Sequence, residues 1–104
     1  LLLLGACAGA PKRTLFVVPN TLPNGQSSEQ RRAALETWMA DRAGGFTEMG
    51  EVNGAWKTPK GEVLREKNRM YLITVEEDPE AFREALREKI ITEFEQEEAY
   101  LEAF

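Results

Sequence analysis

A hairpin signal in the middle of the chain constrains the fold more than any other feature. The segments 46–58 and 62–75 are both strand-like, and the turn 58–61 (Thr-Pro-Lys-Gly) places proline and glycine where a type I turn with a following bulge needs them. In the first strand, Gly50 and Gly54 predict a bulge or a close approach of another group to the backbone. The two strands therefore pair in antiparallel fashion within a sheet.

A further strand is predicted near the start of the chain. Residues 14–18 form a continuous β-branched and aromatic run, which is typical of a strand buried on both faces, and Pro19 ends it because proline cannot donate to the ladder. The last part of the second hairpin strand, 70–75, is also apolar, which predicts a central position in the sheet.

An amphipathic helix is predicted between the first strand and the hairpin. Ser27 is followed three residues later by Gln30, the spacing of a capping box, and Gly44 supplies a left-handed end. Glu36 is predicted to point outward. The predicted inward face carries apolar side chains at helical spacing: Ala34, Leu35, Trp38 and Met39.

A second helix is predicted after the hairpin. Asp78 caps its N-terminus and Pro79 is preset at its first position. Apolar residues then recur at steps of four: Phe82, Leu86, Ile90 and Phe94. The helix either continues through Phe104 or gives way to a final strand at 99–104, and helix propensity favours the first alternative.

The predicted order of elements defines the fold class. Strand, helix, strand, strand, helix and a last strand form the βαββαβ arrangement of a ferredoxin-like α+β sandwich, in which two helices cover one face of an antiparallel sheet. We expect residues 14–104 to form this single domain.

The leading segment resembles the end of a bacterial lipoprotein signal peptide. Residues 4–7 (Leu-Gly-Ala-Cys) match the lipobox, in which the cysteine becomes the lipidated first residue of the mature protein. The resemblance implies that 1–13 is the remnant of a signal peptide with a linker, that Cys7 carries lipid, and that the domain lies at the cell envelope. If the match is fortuitous, a cytoplasmic location follows.

Several short motifs resemble a family of small bacterial proteins of unknown function. They are Gly-Gly-Phe-Thr at 44–47, Gly-Ala-Trp at 54–56 and Phe-Glu-Gln-Glu at 94–97, with a hairpin glycine at Gly61 and a glutamate at Glu66. The resemblance implies a ferredoxin-like fold and a lipoprotein-type leader, and it implies no activity. The chain has Glu95 where the family pattern has glycine, which affects the predicted end of the second helix.

Composition excludes several classes of chemistry. The sequence has no histidine and one cysteine, so Ser-His-Asp, Cys-His and zinc-histidine sites are excluded. Its 18 acidic and 13 basic side chains give a net charge of −5, which repels nucleic-acid backbones. We predict no catalytic residues, no metal site, no cofactor and no nucleic-acid partner.

The candidate ligand-binding residues lie on the hairpin strands. Cross-strand pairing is expected to bring aromatic, basic and acidic groups onto one sheet face, where they suit a small polar or carbohydrate-like ligand: Trp56, Arg65, Glu66 and Glu48. The alternative is that Trp56 packs in the domain and the charges form solvated cross-strand pairs.

Two functions remain open at this point. The first is a non-enzymatic binding or interaction module of the cell envelope, whose membrane contact is a lipid on Cys7. The alternative is a cytoplasmic dimeric α/β-barrel-like protein that binds or converts a small molecule. An exposed sheet face bearing Trp56 or Tyr71 predicts a homodimer.

Overall fold

The computed structural model describes residues 9–104 of the chain. The lipobox at 4–7 and the predicted lipid on Cys7 lie outside the described residues. Six elements follow one another: β1 (Arg13–Pro19), α1 (Glu29–Ala43), β2 (Thr47–Lys57), β3 (Val63–Thr74), α2 (Pro79–Glu93) and β4 (Leu101–Ala103).

The four strands form one sheet in the order β2-β3-β1-β4, with all neighbours antiparallel. The order of elements is β-α-β-β-α-β, and both helices pack against the same face of the sheet through one core. The fold is therefore a small ferredoxin-like α+β sandwich, as the sequence predicts.

Burial alternates along β1, because the helices cover only one face of the sheet. Phe16 and Val18 are fully buried on the helix side, whereas Leu15 and Val17 are partly exposed on the other side. The prediction that this strand is buried on both faces is wrong for the single chain. The apolar run is real, but half of it faces away from the core.

The core lies between the sheet and the two helices. Phe16 stacks on Tyr71 of β3, with ring centroids 5.3 Å apart, and the edge of Phe46 packs on the same Tyr71 ring. Because Tyr71 is fully buried, it cannot lie on an exposed sheet face. The helices contribute most of the remaining core side chains: Leu35, Met39, Phe82, Leu86 and Ile90, with Phe94 directly after α2.

The capping box predicted for α1 does not form. The helix begins at Glu29, and its N-cap is Ser28, whose buried hydroxyl donates to the carbonyl oxygen of Pro19 at 2.5 Å. The Ser27 hydroxyl instead accepts the N–H of Glu29 at 3.1 Å. The predicted end is confirmed, since Gly44 adopts φ +79° and its N–H donates to Ala40.

The inward face of α1 agrees with the sequence in most positions. Leu35 and Met39 are buried and Trp38 is half-buried, with its ring stacked on Phe82 at 5.1 Å. Ala34, which was expected inside, is exposed.

The hairpin forms as its turn residues predict. Gly61 adopts φ +87°, and its N–H donates to the carbonyl of Thr58. This is the geometry expected of a type I turn that is followed by a bulge. Gly50 adopts φ +96° at the point where the register of β2 shifts. At Gly54 an added Cβ would lie 2.8 Å from Nδ2 of Asn68, so this glycine permits a close approach across the strands.

Of the two alternatives for the C-terminus, the final strand forms and the helix through Phe104 does not. Asp78 caps α2 through the N–H of Ala81 at 3.3 Å, as expected, but the helix ends at Glu93. Glu95 adopts φ +55°, which turns the chain back toward the sheet. The segment around Leu101 then pairs with β1, because backbone hydrogen bonds along that open strand outweigh helix propensity.

Candidate functional site

The structure divides the four predicted ligand-binding residues between the two faces of the hairpin. Trp56 lies opposite Leu64, and Glu66 lies opposite Gly54, so Trp56 and Glu66 share the face that points away from the helices. Arg65 lies opposite Ala55 on the helix side, because neighbouring residues of a strand alternate between faces. The expected cluster on one face therefore does not form.

Glu48 belongs to a different part of the sheet. It lies opposite Tyr71 on the helix side, and its Oε2 is 3.6 Å from Nη1 of Arg69. The carboxylate is partly exposed, and its partner lies on the neighbouring strand. Glu48 thus forms a cross-strand ion pair, which is the alternative that the sequence left open for such charges.

A polar contact that the sequence did not predict joins α1 to the sheet. The buried Tyr71 hydroxyl donates to Oε2 of Glu36 at 2.6 Å, although helical spacing had placed Glu36 outward. Burial first, and then this hydrogen bond, raises the pKa of Tyr71 above its ordinary value. The phenol is held protonated and serves as a hydrogen-bond donor. No sequence signal identifies this pair, because Glu36 and Tyr71 are far apart along the chain.

The face of the sheet that the helices leave uncovered is apolar at its centre, and we call it the open face. Its positions follow from the register, since directly opposed residues point to the same side. Apart from Pro19 and Asn68, its described positions are at least partly exposed. Its partly exposed centre consists of Leu15, Val17, Val52, Met70 and Leu72.

The open face carries few charges for a chain in which 30% of residues are charged. Arg13 lies at one end, with its guanidinium carbon 5.0 Å from the centroid of the Phe104 ring. Glu66 lies toward the other end, and Glu102 lies beside Leu15 at the β4 edge. An apolar patch rimmed by a few charges is typical of an interaction surface.

The β2–β3 hairpin extends this face beyond the helices. Trp56 and Leu64, which oppose each other on the open face, are 52% and 41% exposed, and Val63 on the other side is 58% exposed. The hairpin arm, residues 55–64, therefore has solvent on both faces. This arm presents the large aromatic side chain of Trp56 to solvent. Because the paired strands already order its backbone, little conformational entropy is lost when a partner binds there.

Two hollows in the described part of the chain are shallow and open to solvent. One of about 580 Å³ lies beside Lys12, Arg13 and Phe104. Another of about 320 Å³ lies between α1 and α2 beside Trp38. There the Arg42 guanidinium and the Lys89 ammonium lie 5.0 and 5.3 Å from the centroid of the Trp38 ring, so the indole is already occupied by the chain's own cations.

Within residues 9–104, no group of three or more metal-ligating side chains comes together, and no helix has the length and apolar character needed to cross a membrane. Comparisons of the chain with protein-family models, with curated proteins and with solved structures give no match. The resemblance to a family of small bacterial proteins stays a prediction.

Proposed function

We propose that the protein is a non-enzymatic interaction module of the cell envelope that binds another protein surface through the open face of its sheet. The observation that carries the proposal is the partly exposed apolar centre of that face, represented by Val17, Met70 and Leu72. Exposed apolar area of this kind is costly in water and is retained where a partner covers it.

Binding is favoured over catalysis by how the polar side chains are arranged. Trp56 and Glu66 point away from Arg65 and Glu48, so these four groups do not converge on one small ligand. Catalysis needs an acid, a base or a nucleophile within hydrogen-bond reach of one substrate position. A flat face and a projecting arm suit a protein surface better than a small molecule.

The envelope location rests on the lipobox resemblance at 4–7 (Leu-Gly-Ala-Cys). Its test is the intact mass of the protein expressed behind a complete lipoprotein signal, compared with a Cys7→Ser variant. We expect a lipid-sized mass increase that the variant lacks. An unmodified product would overturn the envelope location and leave the open face to be tested separately.

The interaction is tested by photo-crosslinking in cells. A photoreactive amino acid replaces Leu72 at the centre of the open face or, as a control, Ala34 on the exposed side of α1. We expect a discrete crosslinked product from position 72 and none from position 34. No product from position 72, or the same products from both positions, would contradict the proposed function.

A further inference from the structure

We propose that the partner on the open face is a second copy of the same chain, and that the two sheets pack face to face around a twofold axis crossing the strands near Met70. This inference rests on the proposed function and names its partner. In this arrangement β3 of one copy lies over β3 of the other in the opposite direction, with the aligned packing usual for two stacked sheets.

The charges of the open face support this axis. Arg13 lies level with Thr74, four residues to one side of Met70, and Glu66 lies four residues to the other side. A twofold axis across the strands at Met70 therefore brings Arg13 of each copy to the level of Glu66 of the other. Each charge lies about 14 Å from the axis along the strand.

The alternative axis, parallel to the strands, is disfavoured by the same charges. It would bring the Arg13 end of one copy onto the Arg13 end of the other, and Glu66 onto Glu66. Like charges facing each other across an interface are repulsive. Within residues 9–104, neither Arg13 nor Glu66 has an oppositely charged partner at ion-pair distance, so both are available for contacts between copies.

The size of the face suits a dimer. Outside the hairpin arm, the four strands contribute 28 residues, three of them from β4, and at about 3.4 by 4.8 Å per residue they cover roughly 450 Å² in projection. Accessible area exceeds projected area because side chains stand out from the sheet. Each copy therefore approaches the roughly 800 Å² per partner that specific dimers bury.

The sequence of β1 points the same way. Its run of apolar residues, including Leu15 and Val17, is the pattern of a strand covered on both faces, yet the single chain covers one. A second sheet on the open face supplies the missing cover. The two-sided burial predicted from the sequence then holds for the dimer.

Sedimentation equilibrium of charge-reversed variants tests the inference. The 104-residue chain is studied in reducing buffer at about 150 mM salt, where contacts between exposed charges are only partly screened. We expect Arg13→Glu alone and Glu66→Arg alone each to raise the dimer dissociation constant about tenfold or more, because each creates two like-charge contacts.

An equimolar mixture of the two variants provides the decisive comparison. A heterodimer of Arg13→Glu with Glu66→Arg has two opposite-charge contacts, so the mixture is expected to dimerise within about threefold of the wild type. Arg65→Glu reverses a neighbouring charge that faces the other side of the hairpin and is expected to leave the dissociation constant unchanged. Thermal unfolding of each variant confirms that it is folded.

The outcomes separate this inference from the proposed function. A mixture that stays monomeric, or an Arg65→Glu effect as large as that of Glu66→Arg, would overturn the proposed axis. A wild-type chain that is monomeric at every accessible concentration would overturn the homodimer. If position 72 then crosslinks to a different protein in cells, the interaction module stands with another partner.

Discussion

At the scale of single residues, the hydrogen bond from Tyr71 to Glu36 ties α1 to the sheet. The phenol is fully buried, and burial raises its pKa above that of an unfolded tyrosine. Below the unfolded pKa of about 10, both states keep the proton and the contribution to stability is complete. As the pH rises above about 10, the unfolded state loses its proton while the folded state keeps it, so the free energy of unfolding falls.

We therefore expect Tyr71→Phe to flatten the loss of stability above pH about 10, as measured by urea unfolding. At neutral pH the same change leaves Glu36 without its donor and costs about 1–2 kcal/mol. In a Tyr100→Phe background, Tyr71 is the one remaining phenol, and its phenolate absorbance should appear only as the protein unfolds. Ionisation of Tyr71 in the folded protein near pH 10 would contradict this account.

Most residues whose roles depend on neighbours in sequence were predictable, although the capping box expected at Ser27 and Gln30 does not form, and residues whose roles depend on distant partners were not. Gly44, Gly61 and Asp78 act within a few positions of themselves, so turn and cap chemistry identifies them. Glu36 was placed outward because its partner lies 35 residues away. Arg65 and Trp56 were predicted to share one face, but they lie on opposite faces of the hairpin. The face of each residue depends on the pairing register of β2 and β3, and composition does not determine that register.

At the scale of elements, the junction between α2 and β4 depends on Glu95. This residue adopts a left-handed backbone at φ +55°, which glycine adopts without strain and which costs other residues about 1–2 kcal/mol. The side chain is near Arg31, with 3.9 Å between Oε2 and Nη2, but both groups are largely exposed and such pairs contribute little.

We expect Glu95→Gly to raise the free energy of unfolding by about 0.5–1 kcal/mol, because relief of strain exceeds the added entropy of the unfolded chain. Urea unfolding measures the change. Glu97→Gly is the matched control, since it removes the same charge from a nearby exposed residue without a positive φ. Equal effects of the two substitutions, or a loss of stability in Glu95→Gly, would show that the left-handed backbone at Glu95 is not strained.

The elements also show why local propensity misjudged the C-terminus. Glutamate and alanine in the last segment favour helix, but β1 has an edge that Leu101–Ala103 can pair with. Phe94, fully buried, fixes the place from which the chain turns back. The strand at 14–18 was identified from its apolar run alone, whereas its one-sided burial depends on the number of helical layers.

At the scale of the whole molecule, the fold leaves one half of an apolar sheet uncovered. The helices bury Phe16, Tyr71 and Ile73 on one side, while Met70 and Leu72 remain partly exposed on the other. A partner that covers the second face of this two-layer sandwich also stabilises the folded chain, because it removes apolar surface from water and binds only the folded state.

The βαββαβ order was predictable from the sequence, because it follows from alternating strand and helix periodicities. The uncovered face agrees with the predicted fold class, whose helices lie on one side of the sheet, and disagrees with the apolar run of β1, which predicted cover on both faces.

The accessibility of the methionine methyl groups tests the central claim that the open face is an interface between copies. The chain has three methionines: Met39 is fully buried, Met49 is 51% exposed, and Met70 lies at the proposed twofold axis. Methyl NMR of the 104-residue chain with a soluble paramagnetic probe reports each one separately. In dilute protein, Met49 and Met70 should both be broadened, and Met39 should not.

As the protein concentration rises, the account predicts that the Met70 methyl becomes protected from the probe, as Met39 is at all concentrations. Glu66→Arg should require about tenfold more protein for the same protection, and Arg65→Glu should not. A Met70 methyl that stays as accessible at high concentration as in dilute solution would contradict the claim that a second copy covers the open face.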